Sequence, residues 1–113
     1  MTKKLLLALC LLSACERHTP EQKQIIAFVE THANDPGSYE PISFRFLGPA
    51  TYANTGRVAT DSTRIGDLYE HTYRAKNGFG ALTLHTTVFA LTPGAVDPLP
   101  DSLAERAQLS FRP

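Results

Sequence analysis

The stretch Leu68-Tyr69-Glu70-His71-Thr72-Tyr73-Arg74-Ala75-Lys76-Asn77-Gly78-Phe79-Gly80-Ala81-Leu82-Thr83-Leu84-His85-Thr86-Thr87-Val88-Phe89-Ala90-Leu91 decides the fold. From Leu68 to Ala75 the residues alternate. Tyr69, His71, Tyr73 and Ala75 fall on one side, and Leu68, Glu70, Thr72 and Arg74 on the other. A period of two is the signature of a strand. Asn77-Gly78 is the strongest short-range hairpin signal available, because both residues tolerate the positive φ of a tight turn. Leu82 to Leu91, rich in Thr, Val, Leu and Phe, then reads as the returning strand, and Thr92-Pro93-Gly94 ends it. Register stays open at this level. A loop of Asn77-Gly78-Phe79 sets His71 directly opposite His85, whereas a loop of Asn77-Gly78 alone shifts the pairing by one residue and separates them.

Working outward, Ile42, Phe44 and Phe46 alternate with polar residues in a further half-buried strand that Gly48-Pro49 should stop. Residues 50–66, rich in Thr, Asn, Asp, Gly and Ser, have no sustained period. A loop of that length is functional, mobile or hides short structure. Upstream, Thr19-Pro20-Glu21-Gln22 is a helix start, with Thr19 as cap, Pro20 at the first helical position and Gln22 closing a capping box. Ile25, Ile26, Val29 and His32 or Ala33 follow at helical spacing, with Phe28 widening the stripe. The helix should end near Asn34, because Asp35 precedes Pro36 and is pushed out of helical angles. Downstream, Pro98 and Pro100 mark a linker. Ser102-Leu103-Ala104-Glu105 fits a second capping box before a short amphipathic helix, with an edge strand through Leu109 to Phe111 as the rival. The sum is an α+β fold: an N-terminal helix packed on a small antiparallel sheet of about three strands, in a single domain over residues 20–113.

The first residues carry a different message. Met1-Thr2-Lys3-Lys4 precedes an apolar run from Leu5 to Leu12, followed by Ser13-Ala14-Cys15. A positive start, a short apolar core and a small-residue cleavage region come in signal-peptide order. The run is too short to span a bilayer as a helix, which takes roughly 20 residues. Leu12-Ser13-Ala14-Cys15 resembles the lipobox of bacterial lipoproteins. The resemblance implies cleavage before Cys15, a diacylglyceryl thioether on its sulfur and usually acylation of its new amino group. Several acyl chains anchor stably where one does not. Residues 1–14 are then the leader and 15–19 a lipidated cysteine with a very short tether. The expected address is the cell envelope. In some Gram-negative lineages an Asp after the cysteine favours inner-membrane retention; Glu16 leaves the choice open, with the outer membrane favoured.

Removal of residues 1–14 from the 113-residue chain leaves 99, the size of one small domain. Lys3 and Lys4 leave with the leader, so nine basic side chains face eleven acidic ones. With no basic block, nucleic acid or anionic-lipid binding has no electrostatic support. Cys10 is removed and Cys15 is lipidated, so no disulfide and no cysteine-based metal site is expected. No G-x-S-x-G, no H-E-x-x-H and no Gly-rich phosphate loop is present, and the reading is non-catalytic and free of cofactors.

Two stretches, Asp35-Pro36-Gly37-Ser38-Tyr39-Glu40-Pro41 and Tyr73-Arg74-Ala75-Lys76-Asn77-Gly78-Phe79-Gly80, resemble a pair of motifs in small uncharacterised bacterial proteins, many of them lipoproteins. In those, a helix ends in a D-P-x-S-Y turn and a later strand ends in a K-N-x-F-G hairpin. The resemblance implies the same small α+β fold and no activity. Read as structure, Asp35 can bond the turn backbone, Gly37 can take positive φ, and Phe79 with Gly80 could fold the loop back on the core. Read as function, Lys76, Asn77 and the 35–40 turn would form a ligand site. Turn chemistry by itself accounts for these residue types, so the structural reading takes precedence.

Two binding readings follow. One is a module that holds an envelope protein or glycan through the 50–66 loop or a sheet face, with Tyr52, Asn54, Arg57 and Arg64 as contacts of a kind common in protein recognition. In it the loop is separable: removing residues 53–64 should leave the fold intact. The alternative is a metal- or small-ligand-handling lipoprotein using His71 and His85. Opposed histidines bring their Cβ atoms within ~5 Å, but a zinc site keeps three or four protein ligands. The third would have to come from Glu70, Asp67 or the 50–66 loop. A pair of solvated strand histidines is the simpler expectation.

Overall fold

A computed structural model describes residues 18–111; the leader, Cys15 and the tether residues before His18 lie outside the described residues. The order is α1 (Pro20–His32), a 3-10 turn (Pro36–Ser38), β1 (Glu40–Thr51), β2 (Arg64–Lys76), β3 (Leu82–Thr92), β4 (Ala95–Pro98) and α2 (Asp101–Ser110). The strands form one antiparallel sheet in the order β1-β2-β3-β4. The fold is α+β, with four strands where about three were expected. The extra strand is short and contains Pro98, and its place at the sheet edge is where a proline without an amide donor is tolerated.

α1 begins as its sequence dictates. Thr19 Oγ1 accepts from the Gln22 amide at 3.2 Å, and Gln22 Oε1 accepts from the Thr19 amide at 3.2 Å. The helix ends at His32, two residues before Asn34, and the His32 ring bonds the Phe28 carbonyl at 2.8 Å while stacking on the Phe28 ring. Ile25 and Val29 are buried against Phe89 and Leu91 of the sheet. Burial of this kind contributes about 1.5–3 kcal/mol per side chain.

The alternation along β3 places the helices. Phe89 and Leu91 belong to the cluster under α1, whereas Val88 and Ala90 pack with Leu47, Ala50, Leu68, Leu99 and Ala107 of α2. Successive strand residues point to opposite faces, so α1 and α2 cover opposite sides of the sheet. α2 is thus a helix and not an edge strand. Its start differs from expectation: it begins at Asp101 behind Pro100, with no side-chain cap, so the Ser102–Glu105 capping box does not form. Pro100 is itself extended, at φ −58° and ψ 153°, and its carbonyl accepts the first helical bond from the Ala104 amide at 2.9 Å.

β1 departs most from its sequence pattern. It runs through Gly48-Pro49 to Thr51, and its register with β2 slips between Pro41 and Ser43 and again between Phe46 and Gly48. Each irregularity inserts a residue and inverts the alternation beyond it. Ile42 falls in the first slip and is exposed, and Phe44 is half-buried. Phe46 keeps the side of Phe44, beside Tyr69, yet is exposed, whereas Leu47, in the second slip, and Ala50 beyond it are core. Gly48 and Gly66 permit close approaches. A Cβ on Gly48 would meet the Phe111 ring at 2.5 Å, and one on Gly66 would lie 1.9 Å from the Leu91 carbonyl oxygen.

Candidate functional site

The two motifs that flank the core meet in space. Ser38 Oγ accepts the Lys76 amide at 2.9 Å and donates to the Asp35 carbonyl at 2.7 Å. The Asp35 carboxylate makes no capping bond in this turn, and Gly37 is not among the glycines with positive φ. Both differ from expectation, because the 3-10 turn is closed by the Asp35 carbonyl, which accepts from the Ser38 amide at 3.0 Å. The turn delivers Tyr39 onto the α1 face of the sheet. There its hydroxyl lies 2.6 Å from Nε2 of His71, whose Nδ1 lies 2.9 Å from the Ser43 carbonyl.

That pair of contacts sets the protonation. A carbonyl only accepts, so Nδ1 carries the hydrogen and donates to Ser43. Nε2 is then the acceptor of the Tyr39 hydroxyl, and His71 is neutral. Burial lowers the His71 pKa from its ordinary value against the opposing pull of the Ser43 carbonyl, with His18 adding to the fall. Burial likewise raises the Tyr39 pKa, helped by Glu30 and Tyr73. His71 is fully buried, and its ring stacks on Phe44 at 4.1 Å and on Tyr73 at 5.0 Å. Tyr73 stacks in turn on His85 at 5.1 Å, and Tyr39 meets His71 and Tyr73 edge-on. A row of four rings thus crosses three strands beneath the N-terminal helix. His71 is thus a core residue and not the expected solvated strand histidine; alternation places it with Tyr69 and Tyr73, but only the turn supplies the partner that makes burial affordable.

The opposed histidine pair does not exist. Lys76 pairs with Leu82, so the hairpin loop is the five residues Asn77–Ala81, and His71 faces Thr87 while His85 faces Tyr73. Neither two- nor three-residue loop forms. Asn77 Oδ1 instead accepts the amides of Phe79 at 2.9 Å and Ala81 at 3.1 Å, and Gly80 takes the positive φ that Asn77-Gly78 was expected to supply. Both ring nitrogens of His71 are engaged. The nominated third ligands are engaged too, Glu70 by Arg45 and Gln108, Asp67 by Arg64. Among the described residues no group of three or more His, Cys, Asp or Glu could hold a metal. The metal reading through His71 and His85 has no geometric basis.

Lys76 and Asn77 do line one cleft with Phe28, Tyr73, His85 and Phe89, between the end of α1 and the hairpin. Its volume is about 200 Å³, below the usual size of small-molecule pockets. The Asn77 carboxamide oxygen is already used to hold the loop. Tyr52, Arg57 and Arg64 lie at the opposite end of the sheet, since Arg64 and Lys76 begin and end β2, about 40 Å apart at 3.3 Å per residue. The structure therefore separates the candidate binding residues into two groups.

Residues 52–63 connect β1 to β2 and are folded by their own bonds. The Ala53 amide donates to the Asp61 carbonyl, those of Arg57 and Val58 to the Tyr52 carbonyl, and Asn54 exchanges bonds with Thr51 while its side-chain Nδ2 donates to the Pro49 carbonyl. Gly56 lies against Leu103 of α2, and Arg57 lies 3.5 Å from Asp97 of β4. The connection is thus an integral part of the domain, against the expectation that it is separable. Residues 56–60 and 62–64 are exposed. No protein-family model, no curated protein and no solved structure matches this chain.

Proposed function

We propose that this chain is a bacterial lipoprotein, exported, cut before Cys15 and held in the cell envelope by lipid on that cysteine, whose folded part is a non-catalytic binding module. The membrane end of this reading rests on the leader and the lipobox-like Leu12-Ser13-Ala14-Cys15. The two stretches that resemble motifs of small lipoproteins are joined in this chain by the Ser38–Lys76 bond, as halves of one structural joint.

One observation supports the binding end. The β1–β2 connection is far longer than an antiparallel hairpin requires, yet it is folded tightly and presents Val58 at 47% exposure beside the half-exposed Arg57. An apolar side chain and cationic groups on a preorganised loop lose little entropy on docking and suit an envelope protein or glycan. Arg57 and Arg64 pair with Asp97 and Asp67, but exposed pairs of this kind are worth at most about 1 kcal/mol and yield to a partner's carboxylate.

The test is affinity purification of the lipidated protein from its own envelope, with Arg57→Glu and Val58→Ser in parallel. A stoichiometric partner lost in both variants, while the circular dichroism and melting of each match wild type, is the expected result. A partner retained by both variants would move the binding surface elsewhere, and an unmodified Cys15 in the N-terminal peptide would remove the anchor.

A further inference from the structure

The hairpin tip holds the most exposed large apolar side chain among the described residues. Phe79 is 98% exposed, so it does not fold back on the core as the sequence suggested. A Cβ at neighbouring Gly78 or Gly80 would meet nothing within 4 Å. Leu82 and Leu84 follow at 57% and 63% exposure, on the sheet face that α2 covers only farther along. By register Leu82 lies beside Lys76 and Leu84 beside Arg74, and both cations are exposed. From Tyr73 to Thr92 the hairpin contains no Asp or Glu; Glu40 lies opposite Arg74 on β1. An aromatic tip with leucines and snorkelling cations behind it has the character of an interfacial membrane anchor.

The position of the lipid selects the occupant. Two residues, Glu16 and Arg17, separate Cys15 from His18, so three Cα-to-Cα steps reach at most about 11 Å. His18 rests against Phe44 at 5.7 Å, and Phe44 pairs with His71, five residues before Lys76. Five strand residues span about 17 Å, so the hairpin tip lies within a few nanometres of any surface that holds Cys15. Within that reach, an apolar tip with cations behind it matches acyl chains beneath a layer of headgroups.

We propose that Phe79, with Leu82 and Leu84, dips into the bilayer to which Cys15 is anchored, while Lys76 and Arg74 rest among the headgroups. The inference rests on the anchored reading above. Lipid and hairpin then form a two-point attachment that fixes the domain's orientation and turns residues 52–63, at the far end of the sheet, away from the membrane.

The chain contains no tryptophan, so Phe79→Trp introduces a single reporter at a position whose exposure spares the fold. The full lipidated protein is reconstituted in vesicles of phosphatidylethanolamine and phosphatidylglycerol, with Val58→Trp as the opposite-end comparison. The indole at position 79 should emit at shorter wavelength than in the lipid-free Cys15→Ser protein, resist iodide and be quenched by brominated acyl chains. The indole at position 58 should stay in water. An indole at position 79 that remains open to iodide and untouched by brominated lipid overturns the proposal and leaves the anchor standing. Equal lipid quenching at both positions also overturns it, since the domain then has no fixed tilt. Absence of lipid on Cys15, read by mass, removes the anchored reading and this proposal together.

Discussion

Replacing Tyr39 by Phe deletes one oxygen atom and should destabilise the domain by about 1–3 kcal/mol, the cost of leaving a buried acceptor without its donor. The acceptor is Nε2 of His71, a side chain with no exposed surface, and the Tyr39 hydroxyl is 2.6 Å from it. His71 cannot compensate by changing tautomer, because moving its hydrogen to Nε2 would leave Nδ1 facing the Ser43 carbonyl, acceptor against acceptor. The edge-on ring contacts of Tyr39 with His71 and Tyr73 survive in phenylalanine, so packing loss adds little. For a domain of about 100 residues that cost lowers Tm by roughly 5–20 °C. Urea unfolding of the leaderless Cys15→Ser protein, followed by circular dichroism, reads it directly. The midpoint should fall with the slope m unchanged. Tyr69→Phe is the control, since its hydroxyl has no hydrogen bond among the described residues and its loss should cost under about 0.5 kcal/mol. A Tyr39→Phe loss no larger than that control would refute the buried node, for it would mean that water reaches Nε2.

The same node makes stability depend on pH. Burial lowers the folded pKa of His71, so below the ordinary histidine range the unfolded chain binds a proton that the folded one refuses. The contribution is fully present above about pH 6.5 and is lost as pH falls through the folded value; an unfolding midpoint flat across pH 7 to 5 would contradict it. Gly66→Ala should destabilise by about 3 kcal/mol or more, because its Cβ would fall on the Leu91 carbonyl of the adjacent strand. Chemical denaturation measures it, and a loss within about 0.5 kcal/mol would show the close approach to be wrong. Ser38→Ala should cost about 0.5–1.5 kcal/mol and accelerate hydrogen exchange at the Lys76 amide, whose acceptor it removes. Unchanged exchange at that amide would disconnect the two motifs.

What could be read from the chain alone was whatever depends on neighbours in sequence. The Thr19–Gln22 capping box, the helix through Val29, the alternating strands around Tyr73 and Val88, and a hairpin at Asn77 are all set by local torsions and periodicity, and they formed. The helix after Pro100 formed as well, although by a different start. Three things required the tertiary structure. The hairpin register depends on how a five-residue loop closes. It closes through the Asn77 side chain, which accepts the Phe79 and Ala81 amides, together with the Asn77 backbone, which donates to Ala81 and accepts from Gly80. That one shift dissolved the opposed His71–His85 pair. Burial along β1 depends on the register irregularities of its pairing with β2, above all the one between Phe46 and Gly48, which accompanies the packing of Leu47 and Ala50 in the cluster under the second helix. The neutral, buried His71 depends on a hydroxyl supplied from a turn 32 residues upstream. Alternation states which side of a strand a residue occupies, but what covers that side is a long-range fact, and for His71 the cover decides both its charge and its role.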